Sequence, residues 1–227
     1  MLRIALVLLL LPVMAWAEPL AIERDFRALL KPASLGGMAL AFSTAGLAHG
    51  LDNELRGRVD NGLIKPLLDF GNAYLGTKHS AGLAAGSWLV ARVLHCDEVH
   101  AASGETLRAL VLVGAMVAPL KVAVGRERPD GSNKFSFPSG HAANAFAIST
   151  VLGRRYGRAI GGPLFALASF VPVARIHDRH HFFSDVVAGA VLGMVAGLSV
   201  AMEERESVAL FPVYTDRAWL LIMSWSY

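Results

Sequence analysis

The sequence predicts an all-α protein: a bundle of about six apolar core helices, with a β-hairpin at the C-terminal end. Three observations predict it. Hydrophobic residues make up 54% of the chain and charged residues 17%, an apolar balance for a globular protein. The apolar residues gather in six Ala/Gly-rich segments separated by polar loops. Ala, Leu and Met dominate those segments, and all three favour helix. At 227 residues the chain suits one domain, and it contains no linker, repeat or low-complexity tract.

The first seventeen residues, MLRIALVLLLLPVMAWA, carry an early Arg3, an apolar run from Ile4 to Leu11 and an Ala15-Trp16-Ala17 site. This pattern predicts a signal peptide over residues 1–17, with a single exported domain over 18–227. The alternative is an uncleaved anchor, for which the run is short. The single cysteine, Cys96, excludes an internal disulfide. An oxidising compartment without disulfides points to a bacterial periplasm.

The six apolar segments run Ser34–Ala48, Ser80–Ala91, Ala109–Leu120, Ala142–Gly153, Ala159–Ala174 and Val186–Met202, and a shorter piece, Leu63–Leu75, also suits helix. A membrane span needs about 20 apolar residues, whereas runs of about 10–14 are more often buried core helices. By length the segments read as core helices of a soluble or peripheral periplasmic protein. Their number and apolarity favour the close alternative, an inner-membrane protein. Arg154, Arg155 and Arg158 lie between the fourth and fifth segments. If those segments span, this loop faces the cytoplasm, and the loops holding Lys121–His141 and Arg175–Asp185 face outward. Residues 208–227 change character: β-branched and aromatic residues flank Thr215-Asp216-Arg217, as in a hairpin.

The formal charge of +3 and a pI of about 9.2 give a mild basic bias. No Lys/Arg-rich run or aromatic-basic stripe occurs, so nucleic acid is not an expected partner. An anionic substrate suits the charge weakly.

Three polar clusters lie at the ends of apolar segments. In the first, Lys121 and Arg128 are seven residues apart and share a face if the stretch is helical. In the second, Pro138-Ser139-Gly140-His141 stands where a helix should begin, with Ser139 a natural N-cap. Backbone N–H groups and the helix dipole at such an end hold an anion, and Gly140 allows close approach. The third, Arg175 to Asp185, packs three histidines, two arginines and two aspartates into eleven residues. His181 and Asp185 share a face on a helix, and a carboxylate on one imidazole nitrogen leaves the other free to attack. Arg175 offers a fork matched to phosphate oxygens. A solvated loop, or a metal site using His177 and His181, would also account for this cluster. Nothing in the combined set obliges a metal.

Taken in order, K-x6-R-P, P-S-G-H and R-x5-H-x3-D resemble the three-part signature of the type-2 phosphatidic acid phosphatase superfamily. They stand here as Lys121…Arg128-Pro129, Pro138-Ser139-Gly140-His141 and Arg175…His181…Asp185, and the resemblance covers about 107–202. It implies a metal-independent phosphatase without a resident cofactor, for which vanadate is an inhibitor. Lys121, Arg128, Ser139, Gly140 and Arg175 would bind phosphate. His181 would attack phosphorus, Asp185 would orient it, and His141 would protonate the leaving group and then activate water. The third motif usually begins Ser-Arg; here it is Ala174-Arg175, which removes a hydroxyl but no catalytic group. His177 and His180 match nothing in the signature. Lipid phosphates and soluble phosphate monoesters are both admissible substrates, and a membrane surface is an admissible partner. The alternatives are a haloperoxidase with vanadate as cofactor, a metallohydrolase using His177, His180 or His181, and a non-catalytic anion-binding protein.

Overall fold

A computed structural model of the chain describes residues 19–55, 77–201, 208–215 and 218–225. The predicted leader and the Leu63–Leu75 piece lie outside the described residues. Eight helices occur among the described residues: α1 (Pro19–Leu29), α2 (Pro32–His49), α3 (Asp52–Leu55), α4 (Thr77–Val93), α5 (Asp97–Val124), α6 (Gly140–Tyr156), α7 (Arg158–His177) and α8 (Phe183–Ala201). All six apolar segments are helical over their described residues. The short α1 and α3 were not expected, because neither carries a long apolar run. Strands β1 (Val208–Thr215) and β2 (Ala218–Trp225) pair antiparallel, with Val208 opposite Trp225 and Thr215 opposite Ala218. The hairpin expected at this end is present.

The helix bounds follow from local chemistry. Pro32 opens α2 at a position where its missing N–H costs nothing. α5 begins well before its apolar run, and Asp97 and Glu98 in its first turn complement the helix dipole. It stops at Gly125, whose φ of 58° is the left-handed cap conformation that favours glycine, with the Gly125 N–H donating to the Lys121 carbonyl at 3.1 Å. The 28 residues of α5 span about 42 Å, the 20 of α7 about 30 Å and the 19 of α8 about 28 Å. These three helices are long and apolar enough to cross a membrane by length and composition. The clean run Ala109–Leu120 is therefore only the middle of a much longer helix. The expectation of a soluble or peripheral protein, drawn from short runs, does not hold for these elements, and their length points to membrane association. Leu47 on α2, Leu83, Leu89 and Val93 on α4 and Val122 on α5 are all exposed, which suits an apolar surrounding.

α8 is the central helix. Of its apolar window 67% is buried, against 22% for α5 and 28% for α7. It packs against α6, α2 and α5, while α7 lies on the far side of α6 and α4 lies on α5. Ala109, Leu112, Val113 and Val117 of α5 meet Ala143, Ala147 and Val151 of α6 and Val195, Ala196 and Val200 of α8 in one core. The α6–α8 contact is backbone on backbone. A Cβ added at Gly189 would sit 2.3 Å from the Ser139 carbonyl oxygen, and one at Gly193 would sit 2.1 Å from that of Ala143. At Gly197 it would meet Thr150 Cβ at 2.6 Å. This four-residue glycine spacing lets the two helices touch along one stripe, as small residues do at close helix crossings.

Candidate active site

The antiparallel run of α5 to α8 brings four helix ends together: the C-termini of α5 and α7 and the N-termini of α6 and α8. Every residue singled out in the three motifs lies at this end. Lys121 is in the last turn of α5, and its Nζ donates to the carbonyls of Phe135 and Pro138, both at 2.7 Å. One of its three ammonium donors therefore remains after the loop before α6 is pinned. The helix ends at Val124, so Arg128 lies in the following loop and does not share a helical face with Lys121. The two cations are nonetheless close enough to repel each other.

Ser139 caps α6, fully buried, with its Oγ accepting from the Ala142 N–H at 3.4 Å. Its own N–H donates to the Asp185 carbonyl at 2.9 Å, which ties the second motif to the third. The Phe137–Pro138 bond before it is cis. A Cβ at Gly140 would meet only Val117 Cγ1 at 3.7 Å, an ordinary contact, so packing alone does not require glycine there. His141 follows in the first turn. Burial, with the nearby charges of Arg175, His181, Arg128 and His180, pushes its imidazole down to about 3, so it is neutral at neutral pH.

α8 starts at Phe183, which leaves His181 in the turn before the helix. The N–H groups of His180 and His181 both donate to the Arg175 carbonyl, at 3.0 and 3.2 Å. His181 is 3% exposed, and its Nδ1 faces Asp185 Oδ2 at 3.8 Å, just beyond hydrogen-bond reach. Burial and the charges of Lys121 and Arg128 hold its imidazole below the ordinary range, against the pull of Asp185. Asp185 is fully buried. Its Oδ2 accepts from Ser136 Oγ at 2.5 Å and from the Phe182 N–H at 2.9 Å, the latter capping α8 from its first turn. Arg175 sits in the last turn of α7 with its guanidinium against His180 Nδ1 and 3.7 Å from Asp178. His177 turns instead to Asp178 at 3.0 Å, and His180 Nε2 lies 3.7 Å from Asp130. Among the described residues no three His, Cys, Asp or Glu side chains are grouped to hold a metal.

Three buried polar atoms in this cluster make no hydrogen bond within the protein: Arg128 Nε, Arg175 Nε and His181 Nδ1. Buried polar groups are normally satisfied; Arg128 Nε and Arg175 Nε are two donors that an anion could take, whereas His181 Nδ1 faces Asp185. Sequence reasoning missed Arg126, Ser136 and Asp52. Arg126 donates to Asp185 Oδ1 at 2.7 Å and to Asp52 Oδ2 at 2.7 Å. Its one sequence signal is its place two residues before Arg128. Asp52 had none.

Comparison with known proteins agrees with the motifs. Residues 104–204 match the PAP2 superfamily. A lipid A 1-phosphatase from Porphyromonas gingivalis is 40% identical over 93 residues, covering 39% of this chain and 20% of that protein. A PA-phosphatase related-family protein from Dictyostelium discoideum is 31% identical over 132 residues, 46% of this chain and 48% of that protein. The chain thus spans from a fifth to about half of the length of these curated relatives. Among solved structures, Aquifex aeolicus LpxE superposes with a TM-score of 0.48 at 25% identity, over 66% of this chain and 92% of that one. The first transmembrane PAP2-type phosphatidylglycerolphosphate phosphatase from Bacillus subtilis gives 0.40 at 20% identity, over 88% and 94%. Residues 104–204, which carry all three motifs at one end of the bundle, are thus the part of the chain that matches the PAP2 superfamily.

Proposed function

We propose that the protein is a phosphatase that hydrolyses lipid-borne phosphate esters through a phosphohistidine. The observation that carries this reading is the convergence of Lys121, Arg128, Ser139, Gly140, His141, Arg175, His181 and Asp185 at four adjoining helix ends. Lys121, Arg128 and Arg175 hold the phosphate oxygens with the α6 N-terminus, where cations and N–H groups stabilise the charge that spreads over them in the transition state. Gly140 leaves room for the backbone to approach. With its Nδ1–H directed at Asp185, His181 Nε2 attacks phosphorus and the P–O bond to the alcohol breaks. His141 delivers a proton to the departing oxygen, then takes one from the water that splits the phosphohistidine, releasing inorganic phosphate. Because His141 is neutral in the free protein, its proton arrives with the substrate monoanion, and the bound phosphate offsets the cations that depress the imidazole. No step needs a metal.

Two features favour a lipid over a soluble ester. Three of the four helices that carry the motifs, α5, α7 and α8, are membrane-length, and the curated relative from Porphyromonas gingivalis is a lipid A 1-phosphatase. Arg154 and Arg155 in the last turn of α6 and Arg158 at the start of α7 lie at the end of the bundle away from the site. By the positive-inside rule that end is cytoplasmic, which turns the active site to the exported side.

The test is hydrolysis by detergent-purified protein of a chromogenic phosphomonoester and of a lipid phosphate in mixed micelles. Wild-type protein is expected to release phosphate and to form an acid-labile, base-stable phosphoenzyme that His181→Ala lacks. Full turnover by His181→Ala would refute the nucleophile.

A further inference from the structure

We propose that Arg126 and Asp52 are positioning residues, joined in a bridge that holds Asp185 against His181. The inference rests on the phosphohistidine reading above and adds two residues to it. Asp185 must keep one oxygen on His181 Nδ1, yet it sits 3.8 Å away and is no part of the same helical face. Something else must fix it. Arg126 does so with one guanidinium: Nη1 donates to Asp185 Oδ1 and to Ser184 Oγ, both at 2.7 Å, and Nη2 donates to Asp52 Oδ2 at 2.7 Å. The fork is planar and its donors are fixed relative to one another, so holding Asp52 at one tip aims the other at Asp185.

Asp52 is anchored independently. Its Oδ1 accepts from the Ser184 N–H and its Oδ2 from Ser184 Oγ, both at 2.8 Å, while His49 Nδ1 lies 2.9 Å away. The Asp52 carboxyl is buried. Burial pushes it up, but the hydrogen bonds from Arg126 and Ser184 hold it below the usual carboxylate range. The guanidinium carbon of Arg126 lies 4.0 Å from the centre of the Phe182 ring, so the next residue after His181 covers one face of the bridge. The Arg126 carbonyl accepts from the Ser136 N–H at 2.9 Å, and Ser136 Oγ closes on Asp185 Oδ2. Both oxygens of Asp185 are thereby held, and only the side toward His181 is left open. Asp52 lies outside the matched residues 104–204, so this bridge gives the N-terminal helices a part in the chemistry.

Four proteins test it: wild type, Arg126→Gln, Asp52→Asn and the double variant. Losses of about 10- to 100-fold in kcat are expected for each single variant, as for removal of outer partners that orient a catalytic group. The inhibition constant of inorganic phosphate should stay within about threefold, since no phosphate ligand is removed. Because both variants cut one bridge, the double variant should be no slower than Arg126→Gln. Arg126→Lys should recover part of the loss. An unchanged kcat in either single variant overturns the inference; so does a fall in phosphate affinity that matches the fall in kcat, which would make Arg126 a phosphate ligand. A second readout does not depend on turnover. In ¹⁵N-histidine NMR, wild-type His181 should be a single tautomer protonated at Nδ1, and both single variants should show a mixture; an unmixed tautomer in both also overturns it. If wild-type protein hydrolyses no phosphate ester, the functional reading fails, while the tautomer comparison still judges the bridge. Should Arg126→Gln not fold, Asp52→Asn carries both readouts alone.

Discussion

The two ends of the bundle handle buried charge in opposite ways. Away from the site, charges close on each other: Arg155 meets both Glu98 and Glu105, and Arg108 meets the fully buried Asp25 at 2.7 Å. At the site, Lys121, Arg128 and Arg175 gather beside the imidazoles of His141, His180 and His181. Asp178 lies 3.7 Å from Arg175, and Asp185 is held by Arg126 rather than by these cations. A closed pair serves packing, whereas gathered cations mark a candidate anion site.

That contrast can be broken by experiment. The largest effect is expected from His181→Ala, which should lower kcat by about 10⁴-fold or more with an unchanged melting temperature. Arg155→Ala should do the reverse. It removes a charged partner of the buried Glu105 and should cost about 3 kcal/mol of stability, visible as a lower midpoint in thermal unfolding, while kcat of the folded protein stays at the wild-type level. A large kcat loss there would erase the distinction between the two ends. Arg175→Lys keeps the charge but loses the fork, and kcat/KM should fall about 10- to 100-fold. The smallest effects are in pH. Substrate supplies the proton for His141, so kcat/KM should decline above about pH 6, where a phosphomonoester loses its second proton. Stability should follow the imidazole itself. Its folded value, about 3, lies below the ordinary 6.5, so between those values the unfolded chain binds a proton that the folded chain does not. Stability therefore falls as pH falls through that window, and His180 and His181 act in the same sense. A denaturant midpoint that stays flat from pH 6.5 to 4 would contradict this, and His141→Asn should shallow the slope.

The sequence made the six apolar helices legible because apolar runs are local. It made the motif residues legible because their spacing reflects shared helix ends. What it hid was of two kinds. Helix extent was hidden where a helix begins polar: the first turns of α5, from Asp97 to Thr106, read as loop, and with them went the evidence for a membrane-length element. Long-range partnership was hidden altogether. Asp52 and Arg126 are 74 residues apart, and an aspartate after a short apolar helix carries no local sign of its guanidinium. Ser136 is likewise silent, since its hydroxyl acquires meaning only when Asp185 lies across from it.

The glycine stripe of α8 has a bearing on engineering. Ser139 and His141 ride on α6 and Asp185 on α8, and the two helices meet main chain to main chain at Gly189, Gly193 and Gly197. The spacing between His141 and Asp185 is thus gauged by peptide backbone, which has no rotamers with which to adjust. A methyl group at Gly193, a residue that touches no substrate and bears no charge, would act as a shim between the two halves of the site. Such a change would alter reaction geometry while leaving every catalytic side chain in place. Attempts to stabilise this protein by the usual replacement of helical glycine with alanine should therefore pass over these three positions.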